Sequence, residues 1–333
     1  MAVDLPEELR QAVELRLREL PPAELASLSA ALSARYRSPA ERGAPTARSR
    51  GQVLGYAAFR LPATYAAVTA ALEQLRRLRP DWRPRTLLDL GAGPGAGLWA
   101  AVGVFDSIEL ATELDAEPEM LALGRELAAA ARQTAIRRAT WLSGDVTAPL
   151  PGGASDLVLL SYVLTELSAA AVDAVVDRAW AATAGQLVVV EPGTPAGFGR
   201  VLRVRDRLVA SGGFTTAPCP HDAACPMAGS DWCHFAVRLP RSRTHRAVKQ
   251  AELGYEDEKF SYVALSRAPT ERAPSRVLRH PQIRPGHIRL ELCTPTGLRA
   301  AIVTRRDRDA FRRARKTAWG DGFVPSPSGR GPA

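Results

Sequence analysis

The 333-residue sequence predicts an α/β protein. Its centre is a Rossmann-like, doubly wound sheet, preceded by a helical region and followed by a cysteine-containing, partly β extension. Three observations lead there. A short apolar run, Thr86 to Leu90, breaks into the glycine-rich turn Gly91, Gly93, Gly95 and Gly97 and then into a helix-forming segment. Strand-like and helix-like segments alternate from there to about residue 195, the pattern of a parallel sheet with helices on its faces. All four cysteines lie beyond that alternating stretch.

Residues 1–80 read as helices. In "LPEELRQAVELRLREL" the apolar Leu5, Leu9, Val13 and Leu17 form one stripe of an amphipathic helix. "SPAERGAPTARSRG" is a polar linker containing Pro and Gly. Residues 81–195 read as the cofactor domain. After the first strand and the glycine turn, a second strand falls around Ile108 to Leu114 and a helix over Met120 to Arg132. "ATWLSGDV" is strand then turn, "SDLVLLSYVL" a buried strand, Ala169 to Ala182 a helix, and "GQLVVVEPG" a further strand. Residues 196–333 hold a helical link, the cysteine loops, strands at "KFSYVALSR" and "HIRLELCTP", and a basic tail.

Glycines in the turn let the backbone approach a ligand closely, with the next helix N-terminus aimed at it. By itself this fits either NAD or S-adenosylmethionine. Twenty residues after Gly95 stands Asp115, where an acid suits the ribose hydroxyls of either cofactor. Asp89 before the glycines, the Asp145-Val146 pair after the third strand and the closing Glu191-Pro192-Gly193 resemble class I S-adenosylmethionine-dependent methyltransferases. That resemblance implies that the glycine loop lies by the methionine half, that Asp115 holds the ribose and that Asp145 reaches the adenine. No "NPPY"-type amide clamp follows the fourth strand, and no cysteine lies there, so covalent cytosine-5 methylation is excluded. Tyr162, Thr165 and Glu166 are the polar groups nearest the expected methyl-transfer position, and no catalytic residue is assigned.

Cys219, Cys225, Cys233 and Cys293 are the number needed for one tetrahedral metal ion or one iron–sulfur cluster. Disulfides suit small secreted domains better than a chain of this length. The N-terminal twenty residues lack a signal-peptide core and no run of about 18 apolar residues occurs. A cytoplasmic protein without a membrane span is therefore expected. Structural zinc ligands usually come in pairs two to four residues apart, a spacing absent here. Cys219 and Cys225 each precede a proline, as the last cysteine of bacterial ferredoxin motifs does. This favours a 4Fe–4S cluster, with zinc completed by His221 or His234 as the alternative.

Charge divides the chain. Residues 1–195 carry 19 Lys+Arg against 23 Asp+Glu, a net of −4, and residues 196–333 carry 25 against 12, a net of +13. A basic half is the electrostatic footprint of a nucleic-acid binder. Its densest run holds Arg305, Arg306, Arg312, Arg313, Arg315 and Lys316, and arginine both forks onto phosphates and stacks on bases. These are the candidate RNA contacts.

From about Leu5 to Phe323 the sequence resembles the methyltransferase-like proteins of bacteria and mitochondria associated with assembly of the small ribosomal subunit. The resemblance rests on "LSARYR", "YAAFRLPATYAAV", "LDLGAGPGAGLWA", "VEPGTPAGF", "PCPHDAACPM" with "DWCHF", and "RRARKTAWGD". It implies Cys219, Cys225, Cys233 and Cys293 as cluster ligands and Gly91, Gly93, Gly95 and Asp115 as S-adenosylmethionine contacts. It also implies small-subunit ribosomal RNA as partner. Catalytic turnover does not follow from it. Two roles remain: methyl transfer to RNA, or a scaffold in ribosome maturation.

Overall fold

The computed structural model describes residues 3–37, 49–229, 231–241 and 253–324. Most of the expected linker lies outside them. Four helices open the chain: α1 (Glu7–Leu17), α2 (Pro22–Arg37), α3 (Arg50–Phe59) and α4 (Leu61–Leu78). Three members of the expected stripe, Leu9, Val13 and Leu17, are buried on α1, whereas Leu5 precedes the helix and is only partly buried. Pro62 fits the first turn of α4, where its missing N–H costs nothing. α4 then buries Ala63, Ala66, Ala67 and Ala71, small residues that let it lie close to its neighbours.

Five parallel strands follow: β1 (Thr86–Leu90), β2 (Leu110–Asp115), β3 (Thr140–Ser143), β4 (Ser155–Ser161) and β5 (Thr183–Pro192). Between them run α5 (Ala96–Val104), α6 (Pro118–Ala128), the short α7 (Thr134–Arg137) and α8 (Ala169–Ala181). β4 and β5 are apolar runs because both faces are covered. Leu157, Leu159, Val188 and Val190 join the core beneath the N-terminal helices. Val158, Leu160, Leu187 and Val189 join the core beneath α8.

The sheet does not end at residue 195. After α9 (Pro195–Ala210) come β6 (Phe214–Ala217), β7 (Phe235–Pro240) and β8 (Tyr255–Ser266). β8 runs antiparallel along β5, pairing Val189 with Val263, and carries β6 and β7 on its far side. The order is β3-β2-β1-β4-β5-β8-β6, with β7 on β8. The expected domain boundary at 195 is thereby corrected. Without β8 the apolar β5 would present an open sheet edge, which folded proteins avoid.

A second sheet is built from β9 (Arg276–Val277), β10 (Gln282–Arg284), β11 (His287–Thr294) and β12 (Gly297–Thr304). Ile288, Leu290 and Leu292 alternate inward along β11 and meet Ala310 and Ala314 of α10 (Arg308–Lys316). Asp307 caps that helix by accepting from the Ala310 N–H at 3.0 Å. The alternation stops at Cys293, which is also buried.

Candidate functional site

In an open α/β sheet, ligands bind outside the carboxyl ends of the strands where the strand order reverses. That point here lies between β1 and β4, and a cleft of about 330 Å³ occupies it. Gly91, Gly93, Asp115, Asp145, Tyr162 and Glu166 are among its lining residues. Gly91, Gly93 and Gly95 have φ of 71°, 55° and 87°, the left-handed region open to glycine. Gly91 and Ala92 donate their N–H groups to the Leu114 carbonyl at 2.8 and 3.0 Å, which ties the loop to the end of β2.

Asp115 braces the same loop. Its Oδ2 accepts from the Gly93 N–H at 2.7 Å and its Oδ1 from the Glu117 N–H at 2.8 Å. Burial raises its pKa, while the N–H groups of Glu117, Gly93 and Ala116 oppose that shift. Each carboxylate oxygen has a second lone pair, so the group can still accept a ribose hydroxyl. Asp145 also lines the cleft, with Oδ1 accepting from the Thr147 N–H at 2.7 Å in its own turn.

Asp89 and Gly95 are not among the cleft-lining residues. Asp89 is fully buried, and a Cβ on Gly97 would collide with its carboxylate. Asp89, which the methyltransferase resemblance places among the cofactor-binding residues, thus lies beneath the loop against α5. Gly95 caps α5, where a Cβ would stand 2.7 Å from the Trp141 ring.

Among the described residues, Tyr162 is the non-glycine residue with positive φ (63°), directly after β4. Such strain persists where the surroundings hold it. Its hydroxyl donates to Glu258 Oε1 at 2.8 Å, Arg60 pairs with Glu258 at 3.3 Å, and the Arg60 guanidinium lies 5.2 Å from the ring centroid. Burial, then the charge of Glu258, pushes the phenol well above its ordinary range. Arg60 and Glu258 were missed by sequence reasoning. They are 198 positions apart, and the one available signal was that Arg60 sits in the "RLPATY" segment.

The second candidate site is a cavity of about 40 Å³, on a measure where one water needs about 10–15 Å³. Cys219, Cys225, Cys233 and Cys293 all line it, with His221, Arg205 and Arg276. All four thiols are free. Cys219 follows β6 across a cis Ala217–Pro218 bond, Cys233 precedes β7 with its carbonyl accepting from Ser261 Oγ at 2.7 Å, and Cys293 lies in β11. Burial pushes Cys219 up and Cys233 well above the ordinary thiol range, and raises Cys293 to about 12. His221 Nε2 stands 3.7 Å from Cys293 Sγ. His234 faces elsewhere, stacked on Trp232 at 5.1 Å and edge-on to Trp319 at 4.9 Å. Among the described residues, no three of His, Cys, Asp and Glu are gathered tightly enough to hold a metal ion.

The basic candidates are exposed. Arg305 and Arg306 follow β12, and Arg312, Arg313, Arg315 and Lys316 lie on α10. Arg312 pairs with Asp309 at 3.2 Å, and Arg305 lies 5.9 Å from the Phe311 ring. Among the described residues, Arg306, Arg313, Arg315 and Lys316 have no acidic partner. The arginines of α9 differ: Arg203 and Arg207 are paired with Asp173 and Asp177.

The sheet order, the glycine loop and the cleft at the switch point define a class I methyltransferase fold. The chain belongs to the family described as mitochondrial small ribosomal subunit Rsm22, whose family model matches residues 50–324. It is 32% identical over 294 residues to the mitochondrial ribosome assembly protein METTL17 of Homo sapiens, covering 82% of this chain and 62% of that protein. It is 27% identical over 336 residues to mitochondrial Rsm22-cox11 tandem protein 2 of Schizosaccharomyces pombe, covering 82% of this chain and 43% of that one. The chain thus spans about two fifths to three fifths of the length of these relatives. Among solved structures it is similar to magnesium protoporphyrin IX methyltransferase from Synechocystis PCC 6803 with bound SAM. That match has a TM-score of 0.41 and 10% identity, over 70% of this chain and 90% of that one. The cytoplasmic expectation is corrected by the relatives, which are mitochondrial by name and point to mitochondria instead. No helix among the described residues is long and apolar enough to cross a membrane.

Proposed function

We propose that this chain binds S-adenosylmethionine in the glycine-loop cleft, holds an iron–sulfur cluster with its four cysteines, and contacts small-subunit ribosomal RNA during ribosome assembly. The observation that carries the reading is the cleft itself. Gly93 and Asp115 are locked together by a 2.7 Å hydrogen bond at the switch point, where an adenosine ribose would meet an acid beside a bare backbone. The relatives' names, a ribosome assembly protein and a small-subunit family, support the assembly role.

The cysteine cavity fits a cluster in the chemistry of its donors. Four soft thiols from separate segments surround one space, and two buried arginines stand beside it. Cys219, Cys225, Cys233 and Cys293 would hold the group. When bound, it supplies a four-point crosslink between the β6–β7 loop and β11. The unpaired Arg306, Arg313, Arg315 and Lys316 support phosphate contact, because a cation without an internal partner is free to replace the counterions of RNA.

A non-catalytic scaffold is the second reading. It is favoured by Tyr162, whose hydroxyl is committed to Glu258 at the position where an acceptor would be expected. Mass spectrometry of ribosomal RNA nucleosides, with and without the protein, separates the two. A methylated nucleoside lost on deletion supports transfer. Unchanged nucleosides, with calorimetric S-adenosylmethionine binding intact, support the scaffold, and absence of that binding overturns the cofactor assignment.

A further inference from the structure

Two arginines are buried against the cysteine cavity. Arg205 on α9 is 3% exposed and Arg276 on β9 is 2% exposed. Arginine is almost never fully buried without a partner. Arg276 donates Nε to the Pro218 carbonyl at 2.9 Å, and Nη1 to Gln74 Oε1 at 2.8 Å and the Gly320 carbonyl at 2.7 Å. All three acceptors are neutral, and Nη2 is buried with no partner among the described residues. Arg205 donates Nη2 to the carbonyls of His221 at 3.0 Å and Ala223 at 2.6 Å. Its acid, Asp206 at 2.6 Å, is 53% exposed, and Nε is again buried without a partner among the described residues.

The cavity therefore has two permanent cations on its wall and no buried carboxylate among its lining residues. A buried charge without compensation strongly disfavours the folded state. The placement is specific to the cysteines: Arg276 is the cross-strand partner of Cys293, and the Pro218 that it grips adjoins Cys219. Arg205 lies against Cys219.

We propose that Arg205 and Arg276 are the counter-charges and N–H donors for an anionic four-thiolate group in this cavity, and that they set its redox potential. The proposal rests on the iron–sulfur reading of the cavity. A cluster held by four thiolates is anionic, and reduction adds one further negative charge. A nearby fixed cation stabilises the reduced form more than the oxidised one, and N–H donation to sulfur acts in the same direction. Guanidinium suits this task because it stays protonated when buried. A purely mechanical role is the rival, since the hydrogen bonds of Arg276 tie three segments together.

The test uses the full chain purified without oxygen, with Arg205→Gln, Arg205→Lys, Arg276→Gln and Arg276→Lys. Iron content is measured first, then the midpoint potential by dye-mediated titration. The glutamine variants are expected to move the potential to more negative values, and the lysine variants to move it less. Loss of iron in a glutamine variant but not in its lysine counterpart also supports a charge role. An unmoved potential at full iron content, or equal loss of iron in the lysine and glutamine variants, overturns it and leaves the cluster reading standing. Wild-type protein without iron overturns both.

Discussion

Asp89 and Glu113 face each other across β1 and β2 as register partners, both fully buried, and among the described residues none of their four carboxylate oxygens has a hydrogen-bond partner. Two adjacent buried carboxyls cannot both ionise cheaply. Burial, then the neighbouring Asp115, pushes Asp89 up to about 7, and burial with Asp89 and Asp115 pushes Glu113 well above its ordinary value. Burial at the base of the glycine loop thus favours the neutral form of both carboxyls.

That pairing gives a pH dependence of definite sign. Asp89 binds its proton more tightly folded than unfolded, where its pKa is the ordinary 3.8. Its contribution to stability is fully present below about pH 3.8 and is lost as pH rises through about 7. A tenfold change in proton affinity is about 1.4 kcal/mol. Asp89→Asn should therefore gain stability over the wild type between pH 5 and 8, measured by urea unfolding. A difference that stays constant with pH would show that Asp89 is not protonated in the fold.

Gly97→Ala should be costly for a steric reason. The added Cβ would collide with the Asp89 carboxylate inside a packed helix–strand contact, where overpacking costs about 1–3 kcal/mol. Gly93→Ala meets nothing within 4 Å and should cost about 1–2 kcal/mol through its φ of 55° alone. Urea unfolding ranks the two, and a cheaper Gly97→Ala would mean that Asp89 moves aside.

Asp115→Ala should weaken S-adenosylmethionine binding by about 1–3 kcal/mol, the usual cost of losing a hydrogen bond to a charged acceptor. Calorimetry reads this directly. Part of the loss would come from the freed Gly93 loop, so Asp115→Asn, which keeps an acceptor for the Gly93 N–H, should fall between. Saturable NAD binding without any response to S-adenosylmethionine would reverse the cofactor.

Serine at Cys219, Cys225, Cys233 or Cys293 should lower the iron content of anaerobically purified protein and loosen residues 215–295, because metal binding is coupled to folding. Hydrogen exchange and iron analysis check the two effects. His234→Ala should leave the iron in place, since its ring stacks on Trp232 away from the cavity. One zinc per chain in colourless protein would replace the cluster by a zinc site.

Affinity for small-subunit ribosomal RNA should fall steeply with salt. Replacing Arg306, Arg313 and Arg315 together by Ala should lower the logarithmic salt slope by about three, one for each lost phosphate contact. Replacing the paired Arg203 and Arg207 should change it little. Equal slopes for both sets would make α10 a solvated face.

The parallel core and its loop are written in the sequence. Thr86–Leu90 and Ala169–Ala181 fall where they were expected, because period and glycine placement are local properties written in consecutive residues. The turn through Gly91, Gly93 and Gly95 was legible for the same reason. Tertiary structure alone decided three things. It brought β8 onto the open edge of β5, so that the cysteine-bearing half completes the main sheet. It turned Asp89 under the loop, away from the cleft, because a strand's register with its neighbours fixes which way a side chain points. It also placed Arg276 opposite Cys293 and Arg60 beside Glu258 and Tyr162. These contacts join segments up to 198 positions apart. No local period encodes them; they follow from which surfaces must be buried together.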